Sequence, residues 1–213
     1  MGKTALTVDE VQAMFLHLCD GMIAHCERLT QADQAIGDGD HGVGIARGFE
    51  ALRAKLQGQR YEGLEALFQA VGATLLMSIG GAAGAIYGTL FRGGAVALRD
   101  KTLLDAEGLA QFLGKGLQAV MARGKAQPGD KTLVDALQPA ALEAAERTTA
   151  TLDESLRAVA QAARQGMERT AGMVAKVGKA KTLGERSLGH PDPGAISLAL
   201  LLEAMAAYVA EEG

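Results

Sequence analysis

The stretch Ala70-Val71-Gly72-Ala73-Thr74-Leu75-Leu76-Met77-Ser78-Ile79-Gly80-Gly81-Ala82-Ala83-Gly84-Ala85-Ile86-Tyr87-Gly88-Thr89-Leu90-Phe91 carries no charged residue, and its reading decides the fold. As one helix it would be long enough to cross a bilayer. Its composition points elsewhere. Gly72, Gly80, Gly81, Gly84 and Gly88, with Thr74, Ser78 and Thr89, weaken a continuous apolar span, and the Gly80-Gly81 pair breaks it in two. Two core helices joined by a glycine turn are expected, and no membrane partner.

Working outward, apolar residues recur at helical spacing throughout, while period-2 runs of Val, Ile and Thr are absent. Thr7 and Glu10 form a capping-box pattern ahead of the stripe Val8, Val11, Phe15, Leu18, Met22 and Leu29, so a first helix is expected from Thr7 to about Thr30. Further helices are expected over 40–56, 63–79, 82–99, from Asp105 to Gly124, over 131–148, from Thr151 to about Val177, and from Pro193 to Glu211. The expectation is an all-α single domain over 1–213, an antiparallel bundle or closed barrel of eight amphipathic helices.

The chain has 213 residues, 48% hydrophobic and 22% charged, which excludes a disordered or collagen-like polymer. A net charge of -4 and 4% aromatic residues supply neither a basic field nor stacking platforms, so nucleic acid is not an expected partner. Cys19 and Cys26 read as lying on one helix, roughly 10 Å apart along its axis and too far for a mutual disulfide. Without a bridge or a signal-peptide pattern, and with Leu6 where a myristoylation signal needs Ser or Thr, a cytoplasmic protein without a lipid anchor is expected.

Four connections are too polar and glycine-rich to be mere turns: 33–44, 80–84, 123–135 and 178–194. In the first, Asp38 and Asp40 stand one residue apart in Gly37-Asp38-Gly39-Asp40-His41-Gly42, and Asp33 can reach them from the end of the first helix. Three converging carboxylates repel one another, and a hard divalent ion such as Mg²⁺ removes that repulsion. The alternative is that Asp40 caps a helix, Asp38 makes a turn and Asp33 is solvated. His41 could touch a phosphate or bond a neighbouring carboxylate. Gly80-Gly81-Ala82-Ala83-Gly84 either admits a phosphate to the backbone or allows tight helix packing, and no Walker A lysine or Rossmann glycine spacing is present. The 178–194 connection is long for a compact helical protein, and its lysines could neutralise phosphate.

These stretches, with Arg123-Gly124-Lys125, Gly129-Asp130-Lys131-Thr132, Asp135, Leu183-Gly184-Glu185-Arg186-Ser187, Gly189-His190 and Asp192-Pro193-Gly194-Ala195, make the chain resemble the L subunit family of dihydroxyacetone kinases over nearly its whole length. The resemblance implies a helical barrel holding ADP or ATP through two Mg²⁺ ions. It places Asp33, Asp38 and Asp40 as metal ligands. His41, Gly42, Val43, Gly44, Ala82 and Ala83 would surround the phosphates, and Gly124, Leu133, Asp192, Pro193 and Gly194 would line the rest of the nucleotide site. Ala83 stands where the family usually has Ser, Leu133 where it has Met, and Lys179 where an Arg usually meets the phosphates, while Lys181 and Thr182 replace a common Ser-Tyr pair.

The ketone would be held on a separate K subunit, so no catalytic base is expected in this chain, only donation of the γ-phosphoryl group. In some members a phosphohistidine-bearing phosphotransferase subunit regenerates the bound nucleotide; in others ATP exchanges. Other readings of the same site are a kinase component for another substrate such as erythrulose, and a regulatory module dependent on ADP and Mg²⁺.

Overall fold

A computed structural model of the chain describes residues 2–211. The helices are α1 (Val8–Ala24), α2 (Cys26–Ile36), α3 (His41–Leu56), α4 (Leu64–Ser78), α5 (Gly81–Ala95), α6 (Ala106–Gly124), α7 (Val134–Glu146), α8 (Leu152–Arg169) and α9 (Pro193–Glu211). The chain is all-α apart from two three-residue strands, β1 (Ala5–Thr7) and β2 (Leu103–Asp105), paired antiparallel with Leu6 opposite Leu104. Strands this short carry no period-2 signal, which is why the sequence pattern is silent about them.

The decisive stretch divides as expected. It runs through α4 to Ile79, turns at Gly80 with φ 81°, and restarts as α5 at Gly81. The two helices then pack closely, since a Cβ on Gly88 would lie 2.6 Å from Cβ of Leu76 and 3.0 Å from the Gly72 carbonyl oxygen. Among the described residues, the helix that is long and apolar enough to span a membrane is instead α9, with 67% of its apolar window buried inside the structure as a core helix.

The expected first helix is two. It breaks at His25 (φ -83°, ψ 5°), and α2 continues well past Thr30 to Ile36. Cys19 therefore lies on α1 and Cys26 opens α2, both as free thiols. The helix expected from Lys131 starts at Val134, because Lys131 takes a left-handed conformation (φ 62°). The helix expected to reach Val177 ends at Arg169, followed by a 3-10 turn, and residues 179–187 form irregular 3-10 structure around Gly184. Both capping boxes form, at Thr7 with Glu10 and at Thr151 with Glu154.

Packing runs α1–α3–α4–α5–α6–α7–α8–α9 and back to α1, a closed circuit, with α2 against α3 and α9. Phe15, Phe68, Phe91 and Phe112 meet at its centre, Phe68 and Phe112 with ring centroids 4.8 Å apart. All five phenylalanines of the chain are buried in this core.

The α7–α8 contact positions the start of α7. A Cβ on Gly166 would land on the Asp135 carbonyl oxygen and lie 2.8 Å from Pro139 Cγ. Gly166→Ala should gain about 1 kcal/mol of helix propensity but lose about 1–3 kcal/mol to overpacking against backbone that cannot yield. Urea unfolding should show a net loss of stability.

Candidate functional site

One end of the helical circuit opens into a cavity of about 560 Å³. Helices α3, α5, α7 and α9 begin there, while α2, α4 and α6 end there. Convergent helix N-termini offer free backbone N–H groups and positive dipole ends, so this end of the fold favours an anion.

Asp33 sits on the last turn of α2 and Asp38 and Asp40 on the loop into α3. One carboxylate oxygen from each lies within 4.8 Å of the others. Local backbone chemistry brings them together. The Gly37 N–H donates to the Asp33 carbonyl, and Gly39 turns the chain in the left-handed region (φ 80°), where Gln34 leaves no room for a Cβ. Asp40 stands at the N-cap of α3 but makes no capping bond; Asp33, only 9% exposed, accepts from the His41 N–H at 3.2 Å instead. The alternative of a capping Asp40 and a solvated Asp33 is therefore not what the chain does.

A cation already answers this cluster. Lys179 Nζ, from the 3-10 segment, donates to Asp38 and, at 3.2 Å, to Asp40. The bond to Lys179 holds the Asp38 carboxyl below the usual range, and the same bond raises the Lys179 ammonium. Lys179 therefore meets the acidic cluster in this structure. An all-oxygen set of carboxylates with a positive group standing among them fits a hard divalent ion.

The rest of the wall comes from Val43, Gly44, Ala82, Ala83, Gly124, Leu133, Asp192, Pro193 and Gly194, which the structure gathers around the same space. Gly42 is the exception. It faces α2, where a Cβ would strike the Cys26 carbonyl and Thr30, so it is a packing glycine and not part of the wall. In the glycine turn, Gly80 and Gly81 border the cavity, whereas Gly84 packs, a Cβ there lying 3.2 Å from the Leu76 carbonyl oxygen. Ile86, Val120, Ala126 and Val134 add an aliphatic surface deeper in.

Other charged residues at and behind the wall have structural roles that the sequence motifs alone did not reveal. Arg47 donates from Nε to the Ser78 carbonyl at 2.7 Å and also binds the Ile79 carbonyl, fixing the end of α4. Lys131, 2% exposed, donates to the carbonyls of Thr170 (2.7 Å), Met173 (3.1 Å) and His190 (2.5 Å) and so fastens both ends of the 170–192 segment. Burial lowers its ammonium from the ordinary lysine range. Asp135 accepts from the N–H groups of Gly129 and Thr132, at 2.5 and 2.8 Å, which shapes the loop around Lys131.

The matching family is the DAK2 domain, over residues 35–207. This chain belongs to that family. It is 40% identical to the ADP-binding subunit DhaL of PEP-dependent dihydroxyacetone kinase 1 from Listeria innocua, covering 83% of this chain and 84% of that one. It is 37% identical to the corresponding Escherichia coli subunit, covering 84% and 87%. It is also 39% identical to L-erythrulose kinase of Pectobacterium atrosepticum, over 89% of this chain but 33% of that longer protein. The dihydroxyacetone kinase of C. freundii, solved with AMP-PNP and Mg²⁺, superposes with a TM-score of 0.74 at 26% identity, over 96% of this chain and 35% of that one. The DAK2 fold is thus found both as a subunit and as about a third of a larger kinase.

Within this DAK2 chain, Asp192 gives the cavity a titrating group. Its carboxylate accepts from the Ala195 N–H at 2.8 Å, at the start of α9. Burial pushes its carboxyl from 3.8 up to about 7, against the pull of that amide and of Lys131. A raised value means the folded chain keeps the proton longer than the unfolded one, so this group's contribution to stability is greatest below about pH 4 and declines as pH rises to about 7. Asp192→Asn keeps the carbonyl acceptor and removes the titration. Its melting point should overtake that of the wild type as pH rises from 4 to 8, by roughly 2–4 °C for each kcal/mol recovered, measured by scanning calorimetry.

Proposed function

We propose that this chain is the nucleotide-binding subunit of a ketose kinase, which holds ADP or ATP with two Mg²⁺ ions and donates the γ-phosphoryl group to dihydroxyacetone or a related short ketose. One observation carries this reading: three carboxylates meet beside four converging helix N-termini in a cavity of nucleotide size. The names of the relatives agree, as ADP-binding subunits of dihydroxyacetone kinases.

In this reading Asp33, Asp38 and Asp40 hold the metal ions, which when bound would neutralise the polyphosphate and the charge that builds up during transfer. The first turns of α3 and α5, through Val43, Ala82 and Ala83, direct free backbone N–H groups at the phosphates, and Gly44, whose N–H closes the first turn of α3 onto the Asp40 carbonyl, borders them without a side chain. Ala83 has no hydroxyl, so its backbone N–H is its whole polar contribution. Gly124, Leu133, Asp192, Pro193 and Gly194 line the nucleoside end, where an aliphatic surface suits a base. Lys179 brings a positive charge to the phosphates as a point charge, without the two-pronged geometry of an arginine.

The ketose is assigned to a separate K subunit, with this chain active only in that company and supplying what phosphoryl transfer mainly needs, position and charge. A phosphohistidine-bearing phosphotransferase subunit would rephosphorylate the nucleotide in place; the alternative is free exchange of ATP. The 39% identity to an L-erythrulose kinase favours erythrulose as the second candidate substrate. The cytoplasm is the compartment in which such a cycle would run.

Asp38→Asn should weaken Mg²⁺-dependent ADP binding by more than about tenfold in titration calorimetry, since losing one carboxylate loosens the whole oxygen set. Equal affinity in the variant would remove the metal role. Mass spectrometry of the purified protein, before and after gel filtration, separates the two cycles. Retained ADP supports rephosphorylation in place, and loss of nucleotide supports exchange.

A further inference from the structure

At the inner wall of the cavity, three buried polar side chains from three helices meet. Tyr87 (α5, 1% exposed) donates from Oη to Ser197 Oγ at 2.8 Å. Ser197 (α9, fully buried) stands 3.0 Å from His41 Nε2, and its Oγ also reaches the Gly194 carbonyl at 3.1 Å. His41, the first residue of α3, donates its backbone N–H to Asp33. A chain of hydrogen bonds thus runs from Tyr87 through Ser197 to the His41 ring, and the backbone N–H of the same residue meets the acidic cluster at Asp33.

Burying three such groups costs free energy unless each is satisfied, and here they satisfy one another. Ser197 has one proton to give and two lone pairs, which matches a donor in Tyr87, a ring nitrogen in His41 and an acceptor in Gly194. Apolar side chains could hold α3, α5 and α9 together, but they could not fix the rotation of an imidazole. The contact also commits Nε2 within the protein, so this nitrogen is not the one offered to a ligand.

We propose that Tyr87 and Ser197 are positioning residues, which lock the His41 ring and through it the first turn of α3 against Asp33. This rests on the reading of the cavity as a Mg²⁺–nucleotide site. Without the lock, the His41 ring is free to turn, and the α3 N-terminus loses its register with the carboxylates.

The test uses the full chain with Tyr87→Phe and Ser197→Ala, each of which removes one hydroxyl. Ser155→Ala is the control, because Ser155 Oγ is equally buried, has no hydrogen-bond partner and lies outside the cavity. Long-range ¹H–¹⁵N spectra of the nucleotide-free protein should show the His41 Nε2 resonance moved in both relay variants and unmoved in the control. Titration calorimetry should show Mg²⁺–ADP affinity weakened roughly three- to tenfold in both, consistent with loss of a buried hydrogen bond, and unchanged in the control. A His41 spectrum in Ser197→Ala that superposes on the wild type, or full affinity in both relay variants, overturns the proposal. A wild type that binds no Mg²⁺–ADP would instead overturn the nucleotide reading, and the spectra, recorded without nucleotide, would still decide whether the relay holds His41.

Discussion

Like charges in close quarters govern this end of the molecule. Three carboxylates within 4.8 Å of one another must be neutralised. The chain accepts that cost in a specific way: Asp33 is nearly buried and tied to the His41 N–H, whereas Asp38 and Asp40 stand exposed on a loop bent at Gly39. The buried member fixes the position, and the exposed pair remains reachable from solution. Lys179 supplies the counter-charge in this structure, from a segment remote in sequence but fastened beside the cluster.

That fastening depends on a second charge. The 170–192 segment has little regular structure of its own, and a 3-10 run around Gly184 would not hold a fixed course across a cavity mouth. Lys131 ties down both of its ends through three carbonyls. Further in, the Ala175 N–H donates to Ser187 Oγ at 3.0 Å, and the Gly189 N–H donates to the Ala171 carbonyl at 2.8 Å. Lys131 and Lys179 thus divide the work. One lysine is buried and holds the strap, while the other rides on the strap and meets the acids.

How much of this was readable in the chain follows from the range of each interaction. Helix periodicity and the glycine break between Ile79 and Gly81 are local, and α4 and α5 meet where the pattern places the break, although α5 gives way to a 3-10 turn after Ala95, short of the expected Arg99. The break at His25 is not local: neither glycine nor proline marks it, and the apolar stripe runs on across it to Leu29. The acidic cluster was legible because its members lie close in sequence. The assignment of the α3 cap was not, because a donor eight residues from its acceptor competes with the adjacent Asp40, and only the turn of α2 toward α3 decides between them. Gly42 looked like its neighbours in the motif; its packing against Cys26 and Thr30 exists only once α2 is in place.

The same reasoning explains why Lys131 and the Tyr87–Ser197–His41 relay escape a sequence reading. Their partners lie 39 to 156 residues away, and nothing in Asp130-Lys131-Thr132 distinguishes a buried strut from a solvated lysine at a helix start. Both devices act on the elements that carry the acidic cluster and Lys179, without belonging to the ring of acids itself. A site that must hold several negative groups at once needs its scaffold fixed before any ligand arrives, because repulsion would otherwise push the carrying elements apart. Buried polar groups satisfied across three helices meet that need better than apolar packing, since they hold direction as well as distance.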